Sequence, residues 1–267
     1  MHPLRRATAV TTAALLCLSL CATSGSAVAP LPRAVGAAMV VPTMTLARVT
    51  RLVALGDSVP AGGACGCTPF PQRVSGMLAA RSGHGVVTDN DALGGLTTHR
   101  LLSQLRYSSG IRRDVAAASV VLVTVGANDI SSPTCGLNTA CYAPNVRRVG
   151  TLLDSVVQEI TRLRGGRPTA IVLTGYWNVW RDGVVARRRG AAYVTASVAL
   201  TRAVNAQIAA AAARNRVTYV DLWVPFRGTT NRDDTALLAA DGDHPNAAGH
   251  QVIAVAIART LARRIPT

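Results

Sequence analysis

The stretch LVALGDSV, residues 52–59, decides the fold, because an apolar run ends there in a polar turn. Four apolar residues are followed directly by Gly56, Asp57 and Ser58. A short apolar run bounded by turn residues is typical of a buried strand. Glycine allows the sharp turn that would present a hydroxyl at the edge of a sheet, so Ser58 is a candidate nucleophile.

Short apolar runs alternate with longer amphipathic patterns along the rest of the chain. The clearest helical pattern has apolar residues at 152, 153, 156, 157, 160 and 163 on one stripe. Further helices are predicted from about 191 to 214 and, after the capping residue Asn246, to about 264. The predicted strands are residues 52–55, 86–88, 120–125, 170–173 and 217–220. This alternation, with nearly all-apolar strands, predicts an α/β domain whose parallel sheet is covered on both faces.

The N-terminal segment, residues 1–29, is predicted to be a secretory signal peptide. It has a basic start, an apolar stretch of about 15 residues and a small-residue region that suits cleavage. The stretch is shorter than the ~20 residues that span a bilayer, which disfavours the alternative of a membrane anchor. Residues 30–50, rich in proline and alanine, are predicted to form a loose N-terminal arm, and residues 51–267 a single domain. We therefore expect a secreted protein.

The chain is strongly basic, with a formal net charge of +15 at pH 7, and all 28 basic residues are arginine. Such a charge is typical of proteins that bind nucleic acid or an anionic surface. The lack of lysine beside abundant alanine points instead to codon bias, and an exported protein rarely meets nucleic acid. We expect a monomer without a nucleic-acid partner, and attraction to an anionic cell-wall or membrane surface stays open.

Four of the six cysteines remain once the signal peptide is removed: Cys65, Cys67, Cys135 and Cys141. An even number of cysteines in an exported protein predicts disulfides. We favour the pairs Cys65–Cys67 and Cys135–Cys141, and the crossed pairings stay open because both loops should lie at one end of the sheet. A zinc site is the competing interpretation, but the spacing suits zinc poorly, so we expect no metal.

Three candidate residues follow three successive predicted strands. Ser58 follows the first, Gly95 the second and Asn128 the third. Because ligands of open parallel sheets bind at the carboxyl ends of the strands, the three should meet at one edge. The backbone N–H groups of Ser58 and Gly95 and the side-chain amide of Asn128 could then stabilise an oxyanion. Taken singly, Gly95 suits an ordinary turn and Asn128 a loop cap; their joint occurrence favours the site.

A serine nucleophile needs a base to take its proton and a third group to orient that base. His244 is the natural base, because the other histidines lie in the signal segment, in polar stretches without a nearby acid, or in the last helix. Asp241, three residues earlier, can fold back to the ring across a tight turn. Asp243 ranks below it, since adjacent side chains diverge, and Asp57 is predicted to shape the turn before Ser58.

Four segments together resemble the SGNH hydrolases, also called GDSL esterases and lipases. They are residues 56–58, 90–98, 126–129 and 241–245, with Val59 where the family name has leucine. The likeness spans about residues 50–263, and the secreted actinobacterial members are the most similar. It implies a flavodoxin-like three-layer α/β/α sandwich with a five-stranded parallel sheet, and no cofactor. It also implies a catalytic triad of Ser58, His244 and Asp241, with oxyanion donors at Ser58, Gly95 and Asn128.

The implied function is that of a secreted serine ester hydrolase, an esterase or lipase that works through an acyl-enzyme on a small-molecule or lipid ester. Two alternatives stay open: a carbohydrate acetyl esterase that acts on polysaccharide, and a non-catalytic basic protein that binds the cell envelope. Tyr176, Trp177 and Trp180, after the fourth strand, are predicted to line an acyl or leaving-group pocket. The alternative is that these aromatic residues pack in the core of a loop.

Overall fold

A computed structural model of the chain describes residues 44–230 and 232–266. The predicted signal peptide lies outside these residues, as does most of the predicted N-terminal arm. The last part of that arm contains a 3-10 turn, Leu46–Arg48. Leu46 is buried, and its N–H donates to the carbonyl oxygen of Pro266 at 2.9 Å. This end of the arm is therefore packed onto the domain.

Within the described residues, five strands form one parallel sheet. They are β1 (Arg51–Gly56), β2 (Val87–Asn90), β3 (Val120–Thr124), β4 (Ala170–Thr174) and β5 (Thr218–Val220). Their spatial order is β2-β1-β3-β4-β5, the flavodoxin-like order, which opens a crevice at the carboxyl edge between β1 and β3. The predicted fold class is confirmed, and the strand boundaries lie within two residues of the predicted ones.

Helices flank the sheet. They are α1 (Ser58–Ala61), α2 (Phe70–Ser82), α3 (Thr98–Tyr107), α4 (Ser109–Ala117), α5 (Ala143–Arg164), α6 (Gly183–Arg188), α7 (Ala191–Arg214), α8 (Trp223–Arg227) and α9 (Ala247–Arg264). Helix α2 packs against α9, and α5 packs against α3 and α7. Asn246 caps α9 as predicted, because its side chain accepts hydrogen bonds from the N–H groups of Ala248 and Gly249. In the described part of the chain, no helix combines the length and the apolar character that crossing a bilayer requires.

Strands β1 and β3 form the centre of the hydrophobic core. Residues 52–55 are fully buried, and every residue of β3 is buried. The two strands pair in parallel, from Leu52 opposite Val120 to Gly56 opposite Thr124. Since they end at the same level, the loops that follow them leave the sheet side by side.

Gly56 ends β1 at a position that requires glycine. Its φ is +134°, and a Cβ atom there would lie 1.8 Å from the carbonyl oxygen of Thr124. The N–H of Asp57 donates to the same oxygen at 3.0 Å. The absent side chain therefore lets the turn before Ser58 attach directly to β3.

We expect Gly56→Ala to lower the free energy of unfolding by at least about 3 kcal/mol, because the methyl group would overlap backbone atoms. Gly76→Ala is the matched control. It lies in α2 with nothing within 4 Å of an added Cβ, and alanine should stabilise the helix by up to about 1 kcal/mol. Urea unfolding measures both variants, and equal stability of the two would contradict this packing.

Candidate active site

Ser58 is the first residue of α1 and follows β1 through the Asp57 turn. Asp57 caps the helix, because its Oδ1 accepts a hydrogen bond from the N–H of Val59 at 3.0 Å. Its Oδ2 accepts a 2.5 Å hydrogen bond from the hydroxyl of Tyr176, which follows β4. The role predicted for Asp57, shaping the turn, is confirmed. The bond to Tyr176 also ties the Ser58 turn to the loop after β4.

The Asp57 carboxyl group is 1% exposed, and burial raises its pKa to about 6. The hydrogen bonds from Tyr176 and Val59 act in the opposite direction, since they stabilise the charged form. Burial also raises the pKa of the Tyr176 hydroxyl well above its ordinary value. The phenol therefore keeps its proton and remains a donor to Asp57.

His244 and Asp241 lie in the turn before α9. The ring Nδ1 is 2.6 Å from Oδ2 of Asp241. The other carboxylate oxygen accepts hydrogen bonds from the N–H groups of Asp243 at 2.9 Å and His244 at 3.1 Å. Burial acts to raise the pKa of Asp241, but these hydrogen bonds outweigh it and hold the pKa below its ordinary value. A charged Asp241 fixes the ring proton on Nδ1 and leaves Nε2 as the basic atom.

Asp243 faces the same cleft but lacks this arrangement. Burial raises the pKa of its carboxyl group. Among the described residues, its carboxylate makes no hydrogen bond to the ring of His244, whereas that of Asp241 does. The structure therefore supports the predicted order of the two acids.

Gly63 lies between the two reactive side chains. A Cβ atom on Gly63 would lie 3.0 Å from Nε2 of His244 and 3.1 Å from Cβ of Ser58, so both atoms border one small volume. Within the described part of the chain, no hydrogen bond joins the Ser58 hydroxyl to the ring in this resting geometry. Such catalytic hydrogen bonds often tighten only when substrate binds. Sequence analysis missed Gly63, although the two consecutive glycines shortly after Ser58 could have indicated a close approach of the backbone to the nucleophile.

The loop that carries Gly95 is fixed to the turn after β3. The side-chain Nδ2 of Asn128 donates to the carbonyl oxygen of Leu96 at 3.1 Å. Oδ2 of Asp129 accepts hydrogen bonds from the N–H and the hydroxyl of Thr98, at 2.9 and 3.0 Å. These contacts hold Gly95 and Asn128 on neighbouring loops, as the strand order predicts.

Three hydrogen-bond donors remain available near Ser58. Among the described residues, the backbone N–H groups of Ser58 and Gly95 make no hydrogen bond. Asn128 uses one of its two amide protons for Leu96 and keeps the other. The Gly95 loop also approaches the nucleophile, since a Cβ atom on Gly94 would lie 3.9 Å from Cβ of Ser58. Donors in this arrangement can stabilise a developing oxyanion.

A cleft of about 50 Å³ lies between these groups and is lined by Ser58, Asn128 and His244. Sequence analysis missed Asn178, which also lines the cleft and is only 3% exposed. Both polar atoms of its side chain lack a hydrogen-bond partner among the described residues. Buried polar groups without partners are rare, so Asn178 offers the cleft an unused donor and acceptor.

The aromatic segment after β4 divides into two parts. Tyr176 and Trp177 are each 1% exposed, because Tyr176 bonds to Asp57 and Trp177 stacks on Phe226 with ring centroids 4.2 Å apart. Both residues also line the cleft beside Ser58, so they pack in the core and border the predicted pocket at the same time, and their contact with substrate stays a prediction. Trp180 is half-buried and lines a separate groove next to the cleft.

Within the described residues, disulfides join Cys65 to Cys67 and Cys135 to Cys141, with Cα atoms 5.0 and 5.6 Å apart. These are the pairs favoured from the sequence. The sulfur atoms of Cys65 and Cys67 and a ring nitrogen of His250 lie within 4.8 Å of one another. The sulfurs are bonded to each other, and Nδ1 of His250 accepts a hydrogen bond from the N–H of Phe70. The ring proton then resides on Nε2, so this donor set does not fit a metal ion.

Comparisons with known proteins agree with this geometry. Residues 54–252 match the GDSL-like Lipase/Acylhydrolase family. A search of curated proteins found no match. Solved structures of similar fold include an acetylxylan esterase from Geobacillus stearothermophilus, with 21% identity and a TM-score of 0.56 over 80% of this chain and 94% of that one. Another is a lipase from a goat rumen metagenome, with 17% identity and a TM-score of 0.53 over 79% and 97%.

Tyr176→Phe removes the hydroxyl that stabilises the Asp57 carboxylate, so it raises the pKa of Asp57 further. The folded protein already binds the proton of the Asp57 carboxyl group more tightly than the unfolded chain does. The stability that this protonated carboxyl group contributes is therefore lost as pH rises from about 4 through 6. We expect urea titrations to show a larger destabilisation by Tyr176→Phe at about pH 7.5 than at about pH 4.5.

The control for this prediction is the same substitution in an Asp57→Asn background. Residue 57 no longer titrates there, so the destabilisation by Tyr176→Phe should be equal at the two pH values. A pH-independent loss with Asp57 present would contradict the coupling between the two side chains.

Proposed function

Because the chain belongs to the GDSL-like lipase/acylhydrolase family, a family of carboxylic ester hydrolases, we propose that Ser58, His244 and Asp241 are the catalytic triad of a secreted serine ester hydrolase. The observation that carries the proposal is the 2.6 Å contact between Asp241 and Nδ1 of His244, on a ring whose Nε2 borders the same volume as Ser58.

In the acylation step, Nε2 of His244 takes the hydroxyl proton of Ser58 while the serine oxygen attacks the ester carbonyl carbon. The carbonyl oxygen gains negative charge, which the N–H groups of Ser58 and Gly95 and the amide of Asn128 stabilise. Loss of one such donor typically costs about 2.7–4 kcal/mol of transition-state stabilisation. The imidazolium of His244 then protonates the leaving oxygen, so the alcohol departs and the acyl group stays on Ser58.

In the deacylation step, His244 acts in the same way on water. Nε2 takes a proton from the water molecule as its oxygen attacks the acyl carbon. The bond to the serine oxygen then breaks, the imidazolium returns its proton to Ser58, and the carboxylic acid leaves. Asp241 stabilises the charged ring in both steps, and the tight turn at 241–244 keeps the ring from rotating away.

Export from the cell is part of the proposal. The N-terminal sequence pattern supports it, because a basic start, an apolar stretch and small residues are typical of a signal peptide. The two disulfides support it as well, since disulfides form and persist in oxidising compartments.

The acyl group that we propose is small. The cleft beside Ser58 measures about 50 Å³, whereas pockets for drug-sized ligands measure about 300–1,000 Å³. An acetyl group fits within the cleft itself, whereas a long acyl chain would have to extend beyond it. The acetylxylan esterase of similar fold supports the same choice, because its name describes the release of an acetyl group.

Substitution of the two neighbouring acids tests the triad. With p-nitrophenyl acetate we expect Asp241→Asn to lower kcat by about 10³- to 10⁴-fold, because the ring then loses its orienting charge. Asp243→Asn, the same chemical change two residues away, should lower kcat less than tenfold. Ser58→Ala should leave no enzymatic rate.

Circular dichroism checks that each variant is folded. Similar decreases in kcat in the two asparagine variants would contradict the role assigned to Asp241. A Ser58→Ala protein with the wild-type rate would overturn the proposed function.

A further inference from the structure

We propose that a groove beside the catalytic cleft binds the sugar ring of a carbohydrate ester, while the small acyl group of that ester occupies the cleft. We call it the aromatic groove, and it measures about 390 Å³. It is lined by Ser132, Leu137, Tyr142, Trp180, Arg189 and Tyr193. This inference rests on the proposed function, because it names the class of substrate for the same site.

The aromatic groove and the cleft are built by the same two loops. In the loop after β3, Asn128 lines the cleft and Ile130 lines the groove. In the loop after β4, Asn178 lines the cleft and Trp180 lines the groove. Residues two apart in a chain lie at most about 7 Å from each other, so the cleft and the groove are close enough for one small substrate to reach both. The indole N–H of Trp180 donates to the carbonyl oxygen of Ile130 at 3.1 Å, which holds the two loops together.

Three aromatic rings form the wall of the groove. Trp180 meets Tyr142 edge to face, with ring centroids 5.5 Å apart, and stacks with Tyr193 at 5.6 Å. The guanidinium carbon of Arg189 lies 5.0 Å from the ring centroid of Tyr193. Because each ring is held by its neighbours, the groove offers a rigid apolar surface before any ligand binds. The face of a sugar ring that carries C–H groups matches such a surface.

Another part of the groove lining belongs to a loop that a disulfide closes. Leu137, which is 47% exposed, lies in the short loop that Cys135–Cys141 closes. The hydroxyl of Tyr142 donates to the carbonyl oxygen of Gly136 in that loop at 3.1 Å. The loop is therefore closed covalently and attached to the aromatic wall at one point, which restricts its movement.

Polar groups in the groove favour a sugar over an alkyl chain. Ser132 and Arg189, whose side chains are polar, line it. The hydroxyl of Tyr193 accepts a hydrogen bond from the N–H of Arg181 at 3.1 Å and can donate its own proton to a ligand. An alkyl chain would cover these groups without replacing their hydrogen bonds to water, which costs free energy. Sugar hydroxyls supply both donors and acceptors.

The test is the selectivity of the enzyme between two acetyl esters. Selectivity is the ratio of kcat/KM for an acetylated xylooligosaccharide to kcat/KM for p-nitrophenyl acetate. We expect Trp180→Ala and Arg189→Ala to lower this ratio at least fivefold, because only the oligosaccharide fills the groove. Arg188→Ala is the matched control, since Arg188 is an exposed neighbour outside the groove, and it should leave the ratio unchanged.

Arg189 is exposed, so its variant should fold even if Trp180→Ala does not. Activity on p-nitrophenyl acetate with an unchanged ratio in the Arg189 variant would overturn the sugar site alone. A groove variant that instead changes the preference between p-nitrophenyl acetate and p-nitrophenyl octanoate would overturn it in favour of an acyl chain. A wild-type protein that hydrolyses neither acetyl ester nor p-nitrophenyl octanoate would overturn the proposed function itself.

Discussion

The parallel pairing of β1 with β3 is the constraint on which the rest of the structure depends. Gly56 lies opposite Thr124, so the two strands end together and their loops emerge at one point of the sheet edge. The absence of a side chain at Gly56 lets the backbone of the next turn bond to β3. Ser58 and Asn128 are neighbours for this reason. The remaining strands add the Gly95 loop on one side and the aromatic segment on the other.

Two aspartates close to the nucleophile have opposite environments and therefore opposite roles. Asp57 is enclosed by the core, so burial raises its pKa to about 6, and its hydrogen bonds hold backbone and loops in place. Asp241 accepts hydrogen bonds from its own turn and from His244, which keep its pKa below the ordinary value. The first is suited to structure and the second to orienting a base. The same residue type thus serves both needs through its surroundings.

Local sequence patterns predicted the features that depend on local structure. The strands follow from apolar runs, α7 and α9 from periodicity and a capping residue, and the His244 turn from a three-residue spacing. These patterns could not predict features that depend on contacts between residues far apart in the sequence. Asp57 is hydrogen-bonded to Tyr176, 119 positions away, and Trp177 stacks on Phe226. The sequence of the segment after β4 did not indicate which aromatic ring would be buried, because composition does not determine the direction in which each side chain points.

The most direct test of the central claim is covalent labelling of the nucleophile. A p-nitrophenyl phosphonate ester reacts with an activated serine, because the serine oxygen displaces p-nitrophenol and forms a stable phosphonyl bond. We expect peptide mass spectrometry to find one adduct, on Ser58, and we expect His244→Ala to slow its formation at least a hundredfold. An adduct on a different residue, or equal labelling of the Ser58→Ala protein, would contradict the assignment of Ser58 as the nucleophile.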